Sequence, residues 1–248
     1  MRTFGYSIMR VSALSQLEFM QLRRSALKLL AMLGLPLLLP ITTMHAYGAD
    51  LPIIQALATA EMGLVVTLAM LFFMAPVVML VHRREIGYLQ KLRSTQLRDM
   101  EILLAAFMPS MFLSLLVFLF WTVCFSFKGL PFPAHPLQAV LGMLVSLAIS
   151  ISLVLITAGL TRDEEAVQLT MLPGLLLIAL GPSETIRRVL NDTAIGNVLD
   201  WSPLSAAFDS FSAAYLGEPN SIETVVALCW MFLLSGSAIL AFRWNSRS

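Results

Sequence analysis

Apolar residues fill most of this chain in long runs, and the polar residues between them divide it. Runs long enough to cross a bilayer cover about 26–43, 57–81, 102–127, 137–160 and 222–242. A shorter run at 166–180 reaches only about 22 Å at 1.5 Å per residue, against a hydrocarbon core of about 30 Å. It contains Pro173-Gly174, so protein, thinned bilayer or the following segment must complete it. Ahead of the first run, residues 1–25 place Leu17 and Met20 among Arg2, Arg10, Arg23 and Arg24. Ser15 and Glu18 have capping-box spacing, so an amphipathic helix is predicted to open there on the membrane surface. A cleaved signal peptide competes, because Ala46 to Ala49 is rich in small residues. A basic region of about 28 residues is too long for one.

Two polar interruptions carry patterns of their own. The stretch 82–101 lies between the second and third runs, and in it Ile86, Leu89 and Leu92 recur every three residues beside Gly87. That spacing predicts a short helix at the surface, apolar on one side and basic on the other. A solvated loop with only a topological duty is the competing reading. The second interruption, 181–221, contains Ser202-Pro203, an N-cap with proline at the first helical position. Leu204, Phe208, Phe211 and Tyr215 then step by four, three and four, and Gly217 ends the helix. Ile186, Val189 and Leu190 suggest another short amphipathic piece upstream.

Composition settles the class. Of 248 residues 58% are hydrophobic and 12% charged, about half the usual charged share of a soluble domain, so the chain is an all-α polytopic membrane protein. A net charge of +1 implies no nucleic-acid partner. Placement of charge says more. Five basic residues lie in the N-terminal segment through Lys28 and five in 82–101 (Arg83, Arg84, Lys91, Arg93, Arg98), with Arg162, Arg243 and Arg247 on the same side. Lys128, Arg187 and Arg188 face them across the bilayer. Six spans therefore put both termini and 82–101 in the cytoplasm and 181–221 outside. Cys124 and Cys229 lie in apolar runs and are expected to be buried small hydrophobes.

The order of residues in 82–101 resembles the coupling segment of ABC type-2 exporter permeases. Arg84, Glu85, Gly87, Leu89, Leu92, Ser94 and Thr95 follow that family's pattern, and Arg98 with Glu101 continues it. Tyr88 and Gln96 depart from it, standing where a small hydroxyl residue and a proline are common. In the outer segment, Trp201-Ser202-Pro203-Leu204 resembles the family's Asn-Pro-Leu-Thr signature, with Ser202 in place of Asn. The resemblance implies an N-terminal connecting helix over 1–25 and one six-span domain over 26–248. It implies a cytoplasmic coupling helix (Arg84, Glu85, Gly87, Tyr88, Leu89, Leu92) that meets a separate ABC ATPase. It also implies short re-entrant or interfacial helices before the last span, with Trp201, Pro203, Phe208 and Phe211 at the outer gate or only sealing the mouth.

The remaining chemistry is exclusion. None of the three lysines follows a glycine, so there is no phosphate-binding Gly-Lys-Ser/Thr loop, and ATP and Mg would belong to the partner. The span interiors carry essentially no ionisable group; Glu61 lies near the outer end of the second. That disfavours ion-driven carriers and polar channels, and no metal or hydrolase motif appears. The expected function is export of a hydrophobic or amphipathic substrate (a drug or antibiotic, an antimicrobial peptide or a lipid-linked molecule) by a permease dimer in the plasma membrane. The competing class is an ATP-independent facilitator or membrane-assembly protein.

Overall fold

The computed structural model describes residues 2–24, 26–46, 53–95, 97–127, 132–182, 194–217, 221–242 and 244. The expected piece at Ile186, Val189 and Leu190 lies outside them, as do Lys128, Arg187, Arg188, Arg243, Arg247 and Gln96. Every regular element among the described residues is helical. The first four are α1 (Arg2–Arg23), α2 (Ala26–Ala46), α3 (Ile53–Thr67) and, after a wide π turn (Leu68–Met74), α4 (Ala75–Glu85). There follow α5 (Tyr88–Arg93), α6 (Asp99–Ser126), α7 (Pro136–Leu160) and α8 (Val167–Leu180). The last three are α9 (Ala194–Asp200), α10 (Pro203–Leu216) and α11 (Ser221–Ala241).

Among the described residues, four helices are long and apolar enough to cross a membrane: 56–85, 99–121, 136–160 and 222–241. α2, with 21 residues, and α8, with 14, are the candidates for the other two spans expected from the sequence.

Prolines shape these helices, and at two of them the structure shows how the lost hydrogen bond is accommodated. Pro76 has no N–H, and just before it the chain widens, so that Ala75 N bonds Met70 O five residues back. The widened turn buries Leu71, Phe72 and Phe73 against Ile149 and Val154 of α7 and Ile178 of α8. Gly174 makes room there, because a Cβ on it would collide with the Phe73 ring. In α2, Pro40 cannot donate to the Pro36 carbonyl. Trp121 of α6 reaches across and donates its indole N–H to that oxygen at 2.9 Å. Its ring lies over Gly63 of α3, where any Cβ would clash with it.

Small residues bring the later helices together. α7 meets α10 at Gly142, whose Cβ would lie 3.0 Å from the Ala207 carbonyl, and meets α11 at Gly159. Hydroxyl pairs join the same elements: Ser152 with Ser235 at 3.1 Å, and Ser210 with Thr224 at 2.7 Å.

Several sequence expectations are corrected. α1 begins at Arg2, so Ser15 and Glu18 sit mid-helix: the Ser15 hydroxyl donates to Ser12 O at 2.9 Å, and Glu18 points inward. The helix packs along α6, with Phe19 edge-on to Phe112 at 5.4 Å. His82 to Glu85 are the last turn of α4, so the interruption expected from His82 opens only at Ile86. Cys124 is buried, but Cys229 is on the outward face of α11.

Candidate functional site

The end of α4 carries four consecutive polar residues, His82 to Glu85, and together they hold α1, the end of α7 and the α7–α8 connection. Helical geometry turns successive side chains by about 100°, so four in a row point to all sides of the axis. His82 Nδ1 meets a Glu164 carboxylate oxygen in the α7–α8 connection. Arg83 makes a two-pronged ion pair with Glu18 of α1, one prong at 2.6 Å, with both side chains buried. Arg84 donates to the carbonyls of Ala158 at 2.7 Å, Thr161 at 2.6 Å and Arg162 at 3.3 Å. Glu85 accepts from the backbone N–H of Glu164 at 3.2 Å.

The Arg84 contact has a simple physical origin. The last carbonyls of a helix have no intrahelical partner and form the negative end of its dipole. A planar guanidinium with several fixed donors can satisfy more than one of them where an ammonium could not. Arg84 is 3% exposed, so it is a buried brace between α4 and the end of α7.

α5 hangs directly from this turn. Gly87 has φ +70°, a left-handed conformation that terminates α4 and redirects the chain. No other group lies near it, so it is required here by its backbone angle and not by close packing. The apolar face expected of 86–92 is split. Ile86, before the bend, is 57% exposed, whereas Leu89 is 1% exposed and Leu92 half-buried. Tyr88 lies beside Arg83, whose guanidinium is 5.5 Å from the ring centre. Beyond α5, Arg93 donates to Asp99 at 2.9 Å and stacks on Trp244 at 5.1 Å. Arg84, Glu85, Gly87, Tyr88, Leu89 and Leu92 are therefore gathered at one turn, but only part of the set faces outward.

The second predicted group sits at the start of α10 and along it. Ser202 caps α10, accepting from Ser205 N at 3.3 Å, Pro203 opens it, and Gly217 closes it at φ +76°. The Ser205 hydroxyl lies 2.7 Å from the Leu199 carbonyl and also meets that of Gly181, tying α10 to α9 and to the end of α8. Trp201 is 62% exposed, and its carbonyl accepts from the Trp230 indole at 2.8 Å.

Phe208 and Phe211 are buried, turned toward α3, α6 and α7. With Leu64, Leu68, Phe118 and Met143 they line a narrow apolar cleft. Elsewhere on α10 the Ser212 hydroxyl donates to the Glu61 carboxylate of α3. Sequence reasoning missed the cleft and the Glu18 and Glu164 contacts. The one signal was Glu61, a carboxylate inside an apolar run, where a partner is expected.

Long apolar helices, a proline carbonyl satisfied by a neighbouring helix and a polar turn gripping three elements at one end together define a polytopic helical membrane protein. The chain belongs to the ABC-2 family transporter proteins, whose family model matches residues 26–242. It is a permease, the membrane component of an ABC transporter. Neither a curated protein nor a solved structure matches it.

Proposed function

We propose that the chain is the permease subunit of an ABC exporter and that a separate cytoplasmic ATPase, carrying ATP and Mg, drives it through α5. It would have six spans and cytoplasmic termini, and work as a dimer with a second copy or a homologous permease in the plasma membrane. The substrate would be a hydrophobic or amphipathic molecule. The observation that supports this reading is the last turn of α4. α5 is too short to transmit force unless its base is rigid, and His82, Arg83, Arg84 and Glu85 make that base rigid. Closure of the ATPases would push α5; Gly87 and Tyr88 would pass the push to α4, and the Arg83 and Arg84 contacts would share it with α1 and α7. Rigid elements moving together between two packings are what alternating access requires. The outward part of the turn, Ile86 with Lys91, is the surface proposed to touch the ATPase. Leu89, Arg84 and Arg83 support it from behind.

Purification of the tagged permease from solubilised membranes tests this. An ATP-binding-cassette ATPase should co-purify, and Ile86→Asp should reduce its recovery by about tenfold while membrane levels of the permease stay unchanged. Absence of any such ATPase, with the permease intact, would overturn the proposal in favour of an ATP-independent facilitator.

A further inference from the structure

We infer that Trp244 is a positioning residue for α5: its ring holds the far end of that helix beside the start of α6, so that a push on α5 reaches α6 and α11 as well as α4. This role rests on the exporter reading above and adds a second route by which force leaves α5.

A helix of six residues does not hold itself in water, because so few hydrogen bonds cannot repay its nucleation. α5 is held at its near end by the bend at Gly87, by buried Leu89 and by Tyr88 beside Arg83. At its far end the Ser94 and Thr95 hydroxyls donate to Lys91 O at 2.8 Å and Leu92 O at 2.5 Å, which closes the last turn but ties it to nothing else. Arg93 reaches further. Its Nε donates to Asp99, the first residue of α6, at 2.9 Å, and its guanidinium carbon lies over the Trp244 ring, 5.1 Å from the centre. The ion pair uses an edge of the guanidinium and the indole uses a face, so the two contacts are compatible and each restrains a motion that the other leaves free.

Trp244 is itself anchored. Phe242 stands edge-on to it, with ring centres 5.1 Å apart, and packs against the hydrophobic core. Just before, the end of α11 passes so close to α7 that a Cβ on Gly159 would collide with the Ala241 carbonyl. Arg93 thus joins α5, α6 and the segment after α11 in one stack. Arg93 and Asp99 are 47% and 44% exposed, so their ion pair alone is weak, and the ring supplies a comparable share of the hold. A tryptophan that only anchored the chain among lipid headgroups would act independently of Arg93, and that difference is measurable.

Amide hydrogen exchange over 88–95 is measured on the permease alone in proteoliposomes, with the amides of α7 as the control for the fold. Trp244→Ala should speed exchange in 88–95 by about threefold and leave α7 unchanged, whereas Trp244→Phe, which keeps a ring, should stay close to the parent. Arg93→Gln, which loses both contacts, should speed exchange by about tenfold, and adding Trp244→Ala to it should change nothing more. Exchange in Trp244→Ala at the parent rate overturns the proposal. So does a full further increase from Trp244→Ala in the Arg93→Gln background, which would make Trp244 an anchor unrelated to α5. The second readout uses the ATPase that co-purifies: Trp244→Ala should bind it as the parent does, yet alter its hydrolysis rate less than half as much. An undiminished effect on hydrolysis, or loss of ATPase binding, overturns the positioning role. The exchange measurement contains no ATPase, so its failure leaves the exporter reading standing, while a parent permease that captures no ATPase strikes that reading and leaves the exchange result as it is.

Discussion

Replacing Arg84 by methionine, which keeps an apolar stem of similar reach, removes a buried cation and leaves its three acceptor carbonyls without it. A hydrogen bond from a charged donor contributes about 1.5–3 kcal/mol net, and an unsatisfied buried acceptor costs about 1–3 kcal/mol. Thr161 O at 2.6 Å and Ala158 O at 2.7 Å are the strong contacts; Arg162 O at 3.3 Å adds little. Two strong contacts, partly offset by the desolvation of the guanidinium, give an expected loss of about 3–5 kcal/mol. For a chain of this size that lowers the apparent melting temperature by roughly 6–20 °C. Arg84→Lys should recover less than half, since an ammonium cannot match the fork geometry. Thermal melts in detergent, beside a melt of Arg98→Met as the exposed control, supply the measurement. If Arg84→Met melts with the parent and merely loses its ATPase, Arg84 is a docking residue and the brace assigned to it does not exist.

Glu18→Gln leaves Arg83 buried beside a neutral partner and should cost about 3–5 kcal/mol in the same melts, with partial recovery on exchanging the pair as Glu18→Arg with Arg83→Glu. Gly87→Val forces a branched residue into φ +70° at a cost of about 1–2 kcal/mol, so trypsin should cut faster at Lys91 and Arg93, whereas Gly87→Asn should stay close to the parent. Trp121→Phe strands the Pro36 carbonyl and should lower stability by about 1–3 kcal/mol, measured by denaturant titration in mixed micelles. A reporter near Arg93 should be cytoplasmic and one near Gly196 outside; finding both on one side would end the six-span arrangement.

The sequence was most legible where signals are local. Ser202, Pro203 and Gly217 act on their own neighbours, and α10 starts and ends where they place it. Long apolar runs likewise give α6, α7 and α11 within a few residues. What a face packs against is not local. The stripe of Phe208 and Phe211 announced burial, but nothing in its spacing distinguished the membrane from a cleft against α3, α6 and α7. The same limit misled the reading of Ser15 and Glu18, whose capping spacing is coincidental because Glu18 answers a residue far along the chain. Arg83 and Arg84 counted as cytoplasmic charge in the topology argument, yet both are buried. Composition records a cation and cannot record the helix end that it braces. Leu89 shows the cost of assuming one continuous helix: the left-handed bend at Gly87 separates it from Ile86, and the two leucine-like positions face opposite ways.

Passage of force through α5 is tested most directly by reconstituted ATP hydrolysis, without knowledge of the substrate. The ATPase that co-purifies is assayed alone, with the parent permease in proteoliposomes, and with the Ile86→Asp variant at equal permease density. The parent permease should change the hydrolysis rate severalfold, and Ile86→Asp should return it to the rate of the ATPase alone. An identical rate in all three preparations, with the permease shown to be folded by its melt, would contradict it.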